Sequence, residues 1–201
     1  DTFQQVFSVR SFLFADTGKT IPGWNYQATR RVDDHQFDFS AGRGISMDDS
    51  VGTGWRRTTD AAGNETFFED ARTEGDGAVH SIRGNYKGPQ FGGMLSLNGL
   101  VSSDEFKSES YFTTATTSEA FVNRSANDRG EVGINYTVDL APDIEWETLG
   151  LAKLAVGSLD ATGLTAGGSQ LFQVEAEAGE RIGRSVLRYA FAPELSFEGG
   201  G

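Results

Sequence analysis

Chemistry in this 201-residue chain would first be sought at its two histidines, His35 and His80, because imidazole is the common base and metal ligand near neutral pH. Neither has a neighbouring cysteine or a spaced acidic pair, so the pattern points to no metal site, and solvated or structural roles are expected. His80 is followed by Ser81, the residue types of a serine hydrolase. Adjacent strand residues point to opposite faces, however, so this pair cannot form a nucleophile and base couple by itself. Gly42-Arg43-Gly44 and Gly52-Thr53-Gly54 lack the helix that a phosphate-binding loop needs and read as flexible strand ends. Asp48-Asp49 and Asp104-Glu105 could hold Ca²⁺ at a loop tip, but neither fits a calcium-loop spacing, and solvated charge is the expectation. The residues therefore predict no enzyme, no metal and no cofactor.

Composition narrows the partners. A formal charge of −12 leaves no basic patch to displace phosphate counterions, which argues against nucleic acid. Cysteine is absent, so the chain needs no oxidative folding. No apolar run approaches the ~18 residues of a membrane helix. A β-barrel would escape that test, because its lipid-facing side chains occupy only every second position.

The elements that must position these residues are strands. In 131–140, Val132, Ile134, Tyr136, Val138 and Leu140 share one parity, while Glu131, Gly133, Asn135, Thr137 and Asp139 take the other. Alternate side chains point to opposite faces, so one face is apolar and one polar. Roughly 9–11 tilted residues is also what a strand needs to cross a bilayer. Pro89, Pro142 and Pro193 sit in short breaks between such runs, and a fourth break lies at 32–35. Between the breaks, 60–64, 102–129 and 162–169 are polar or glycine-rich and read as longer loops at the opposite ends of hairpins. The parity slips near Lys153 within 149–159, which a β-bulge or a helical turn could each explain. Tyr86, Phe91, Trp146, Tyr189 and Phe191 lie close to short turns, the placement of an aromatic girdle at a membrane interface.

The stretches Gly75-Asp76-Gly77-Ala78-Val79-His80-Ser81-Ile82-Arg83-Gly84-Asn85-Tyr86, Gly183-Arg184-Ser185-Val186-Leu187-Arg188-Tyr189 and Pro193-Glu194-Leu195-Ser196-Phe197-Glu198-Gly199-Gly200 resemble the barrel region of TonB-dependent outer-membrane receptors of Gram-negative bacteria. The resemblance runs from about Gly23 to the end of the chain. It implies location in the bacterial outer membrane and a large barrel of about 22 strands with a plugged lumen. It further implies import of a scarce nutrient (siderophore-bound iron, vitamin B12 or a glycan), energised by the TonB system through a plug region not found here. Residues 1–201 are then expected to be the N-terminal part of the barrel, cut at both ends.

The expected fold is thus all-β, an antiparallel meander forming about eight strands of a transmembrane barrel. Expected lipid-facing residues are Ile82, Tyr86, Leu95, Leu97, Val132, Ile134, Tyr136, Val138, Leu140, Trp146, Leu187, Tyr189 and Phe191. Expected lumen-facing residues are Arg83, Asn85, Glu131, Asn135, Asp139, Glu145, Glu147, Glu175, Glu177, Arg188, Glu194 and Glu198. Tyr111, Phe112 and Phe121 in the 102–129 tract are the candidates for contact with a small-molecule nutrient. The alternatives are a passive porin or autotransporter barrel, and a soluble β-propeller-like binding module, whose blades repeat every 40–50 residues.

Overall fold

The structure, a computed structural model, describes residues 1–13, 18, 20–46, 52–192 and 195–201. Every described element is a strand: β1 Thr2–Leu13, β2 Thr20–Val32, β3 His35–Ser46, β4 Gly52–Thr59, β5 Glu65–Gln90, β6 Gly93–Thr113, β7 Ser118–Ala141, β8 Ile144–Thr165, β9 Gly168–Ala192 and β10 Leu195–Gly200. They form one ten-stranded antiparallel sheet in meander order, except that β3 and β4 both pair with β5. β3 lies along Gly77–Lys87 of β5 and β4 along Glu65–Thr73. The two are collinear halves of a single line, so the sheet is one strand-line wider than the eight expected.

The short turns fall at one end of the sheet. Asp33-Asp34 joins β2 to β3, Phe91-Gly92 joins β5 to β6, and Pro142-Asp143 joins β7 to β8. Phe91 and Gly92 have φ of 53° and 82°, the left-handed pair of a type I′ hairpin. This moves the second turn from the Pro89 break to Phe91-Gly92. Proline's φ is fixed near −65° and cannot take either central position, so Pro89 stays in β5 opposite Met94. The expected turn at Pro193, the wall residue Glu194 and the acidic pair Asp48-Asp49 lie outside the described residues.

The opposite ends differ from expectation. The 102–129 tract is not a long loop: β6 runs to Thr113, β7 starts at Ser118, and their ladder is unbroken from Met94–Thr137 to Thr113–Ser118. Thr114 Oγ1 accepts from Thr116 N at 3.3 Å and from Thr117 N at 3.0 Å, closing the turn. The 162–169 stretch is likewise a hairpin tip, with Thr165 opposite Gly168. Residues 149–159 contain neither bulge nor helical turn, because their pairing runs without a shift on both sides. In all three places the alternation that marks a strand fades in the sequence, while the backbone ladder continues.

The sheet is a single layer. Packing between elements is essentially between ladder neighbours. Among the described residues the only apolar side chains more than nine-tenths buried are Ile21 and Val186. Val132 is 60% exposed and Ile134 43%, so no second layer of the described residues covers the apolar parity. A propeller is excluded by the same fact: its blades are separate small sheets, whereas this ladder is continuous.

Candidate membrane belt and polar wall

Directly paired residues of antiparallel strands project from the same face, so the register assigns every side chain to a side. Phe37, Tyr86, Leu97 and Ile134 are successive partners across β3, β5, β6 and β7. Val138, Trp146 and Leu187 continue the same face across β8 and β9, with Tyr189 opposite Ile144. All the expected lipid-facing residues, from Ile82 to Phe191, share this face by pairing or by strand alternation. On β7 the apolar positions extend from Leu140 to Gly130, about ten steps or about 34 Å along the strand. At the ~45° tilt of a membrane strand that is about 24 Å of height, against an apolar band of about 25 Å in outer-membrane barrels.

Aromatic rings edge this belt at the short-turn end. Tyr136 Oη donates to the Phe91 carbonyl at 2.9 Å, and its ring meets Trp146 edge-on with centroids 6.2 Å apart. Trp146 Nε1 donates to Ser185 Oγ at 2.8 Å. Tyr86 packs against Phe37 at 5.1 Å and accepts from Gln90 Nε2 at 3.0 Å. Each ring lays its body on apolar neighbours and holds its polar atom on a partner near the turn, the arrangement suited to an interface where one end is greasy and the other wet.

The other face is polar at the same height. Arg188 is bound by Glu147 at 2.7 Å, by Glu198 at 3.1 Å and by Glu145, while Arg184 reaches Glu198 at 3.2 Å. Higher up, Lys153 stands between Glu131 and Glu180, each at 3.8 Å. Arg83, Asn85, Glu131, Asn135, Asp139, Glu145, Glu147, Arg188 and Glu198 all project from this one face. Among the described residues no group of three His, Asp or Glu could hold a metal ion.

Above the belt the two faces exchange character without any register shift, a feature the sequence reading missed. On the belt side Asp76, Lys107, Arg124 and Asp160 are successive partners across β5 to β8. On the opposite side the adjoining row is Gly77, Phe106, Ser125, Leu159 and Val174. Glu175 and Glu177, expected on the lumen side, pair with Ser158 and Val156 and share the belt side with Leu187. They lie beyond the belt, where that side carries charge. The signal available in the sequence was the slip of parity near Lys153.

The three loop aromatics are divided. Phe112 and Phe121 project from the polar-wall side and meet edge-on with centroids 5.8 Å apart. Tyr111 is on the other side, where its hydroxyl donates to Glu109 Oε2 at 2.9 Å. Lys107 and Tyr111 together hold the Glu109 carboxyl below its ordinary pKa, and the same bond raises the Tyr111 phenol. His80 and Ser81 are not brought together: His80 lies opposite Ser103 and Arg43 on the belt side, and Ser81 points the other way.

No protein-family model matches the chain, and no curated protein matches it either. Among solved structures, it is similar to the ferric yersiniabactin uptake receptor FyuA from Yersinia pestis, with a TM-score of 0.56 and 10% identity over 87% of this chain and 26% of the receptor. The chain thus spans about a quarter of that receptor's length. A major outer membrane protein from Thermus thermophilus overlaps 90% of this chain and 98% of its own at 9% identity, but with a TM-score of only 0.26. The fold of the chain is that of a run of barrel wall.

Proposed function

We propose that this chain is part of the wall of an outer-membrane barrel in a Gram-negative bacterium, and that the whole protein is a receptor for active, TonB-driven uptake of a scarce nutrient. The observation that carries the reading is the one-layer sheet whose apolar side chains are exposed on one face over a single membrane height. Hydrocarbon accounts for that exposure; water does not. Contiguous apolar surface of this extent is otherwise a site of association or aggregation. The wall carries no catalytic work in this reading. Its polar face, with the Arg188 cluster, lines the lumen and meets water or a plug. The nutrient is a siderophore complex, a corrinoid or a glycan, and the partners are outer-membrane lipid and the TonB system. The likeness to a ferric yersiniabactin uptake receptor supports the uptake reading at the level of fold.

The test has two parts. Cell fractionation of the full-length protein should place it in the outer membrane, as a species whose gel mobility changes on boiling. Replacing residues 110–121, the hairpin end that carries Phe112 and Phe121, by a two-residue turn should then abolish nutrient-limited growth while leaving the mobility shift intact. Recovery from the soluble fraction would overturn the membrane assignment. Undiminished growth after the replacement would remove the hairpin end from the uptake route.

A further inference from the structure

On the belt face near the short turns, a groove of about 510 Å³ runs over Ala28, Gly84 and Gly99 between ridges formed by Phe37, Phe39 and Leu97. It opens, past Arg30, Phe37 and Tyr86, into a hollow of about 650 Å³ rimmed by Val32, His35 and Gln90. The groove's floor is bare because of its glycines. A Cβ at Gly84 would have nothing within 4 Å, and one at Gly99 only the Glu131 carbonyl at 3.9 Å. The hollow collects donors: Arg30, which forms no ion pair among the described residues, Gln90, and His35, whose Nδ1 lies 2.9 Å from Tyr86 Oη and whose Nε2 is therefore left for another partner.

We propose that this is a binding site for one glycerophospholipid of the leaflet on the short-turn side. The phosphate is held by Arg30, His35 and Gln90, and one acyl chain lies in the glycine-floored groove. The chemistry is specific to an amphiphile. An apolar channel alone would take any chain, and an arginine alone any anion; joined end to end at headgroup depth, they match a phosphodiester carrying a chain. Asp33 and Asp34 in the adjoining turn line neither hollow. The Asp38 carboxylate is engaged on the other face by Thr29 Oγ1 at 2.7 Å and Gln36 Nε2 at 2.8 Å. The proposal rests on the membrane reading above.

The test uses the full-length protein in detergent, titrated with phosphatidylglycerol and read by native mass spectrometry. One lipid should be retained per protein. Gly84→Leu, which projects into the groove from a position whose Cβ meets nothing within 4 Å, and Arg30→Gln, which removes the charge, should each weaken retention about tenfold, about 1.4 kcal/mol. Both variants should keep the mobility change on boiling, and inorganic phosphate should not compete. Equal retention by the folded Gly84→Leu and wild-type proteins would overturn the groove, and full competition by phosphate would reduce the site to an anion contact. A protein that is folded and monodisperse without any amphiphile would instead defeat the membrane reading itself.

Discussion

Glu109 shows how a single carboxylate reports on the part of the sheet above the belt. Its pKa is depressed, first by the hydrogen bond from Lys107 and then by that from Tyr111. A depressed folded value means that its contribution is complete above the unfolded pKa and is lost as pH falls through the folded one. Amide protection factors near Tyr111, taken relative to intrinsic exchange at each pH, should therefore fall on acidification below the ordinary carboxylate range, and Glu109→Gln should abolish that dependence. An unchanged profile in the variant would assign the effect elsewhere. A second residue-scale prediction concerns close approach of strands. A Cβ at Gly77 would collide with the Glu105 carbonyl and lie 2.9 Å from Phe106 Cα, so Gly77→Val should destabilise by about 1–3 kcal/mol in urea titration. Gly99→Ala, with open space around it, should change little.

At the scale of elements, the strands of 21 to 26 residues from β5 to β9 are twice the ~9–11 needed to cross a bilayer. The consequence is a gradient along one strand. Ile134→Arg, within the belt, should cost about 2–4 kcal/mol in folding into lipid vesicles, whereas the same change at Ala126, on the same face but beyond the belt, should cost about 0–1. Equal costs would mean that the two positions share one solvent. This gradient also explains what could be read without coordinates. The run from Glu131 to Leu140 is legible because its two faces differ in polarity at every step. Ser102, Thr113 and Ser118 read as loop because both sides of their strands are largely polar there, so polarity no longer marks a face. Glu175 and Glu177 were assigned to the wrong side for the same reason, since acidic residues were equated with lumen. Tyr111, Phe112 and Phe121 were grouped by nearness in sequence, which a strand divides between its faces. Arg30, His35 and Gly84 carried no signal at all as a group, because β2, β3 and β5 meet only through the ladder.

At the scale of the molecule, the described sheet ends in three edges, β1 paired only with β2, β4 only with β5 and β10 only with β9. Unpaired backbone groups are costly in hydrocarbon and invite association in water. The 201-residue chain alone should accordingly sediment as aggregates in detergent-free buffer, and a cooperative melt of a monodisperse monomer there would contradict a lipid-facing sheet. The belt, the charged rim above it and the polar wall behind it are placed by one continuous register, so a single set of probes along β7 examines them together. The chain has no cysteine, which makes single introduced thiols unambiguous. In vesicle-reconstituted or cell-surface protein, a membrane-impermeant maleimide should label Arg124→Cys and Asp128→Cys rapidly and leave Val132→Cys and Ile134→Cys unmodified until detergent is added. Rapid labelling of Val132→Cys and Ile134→Cys in intact membranes would contradict the account.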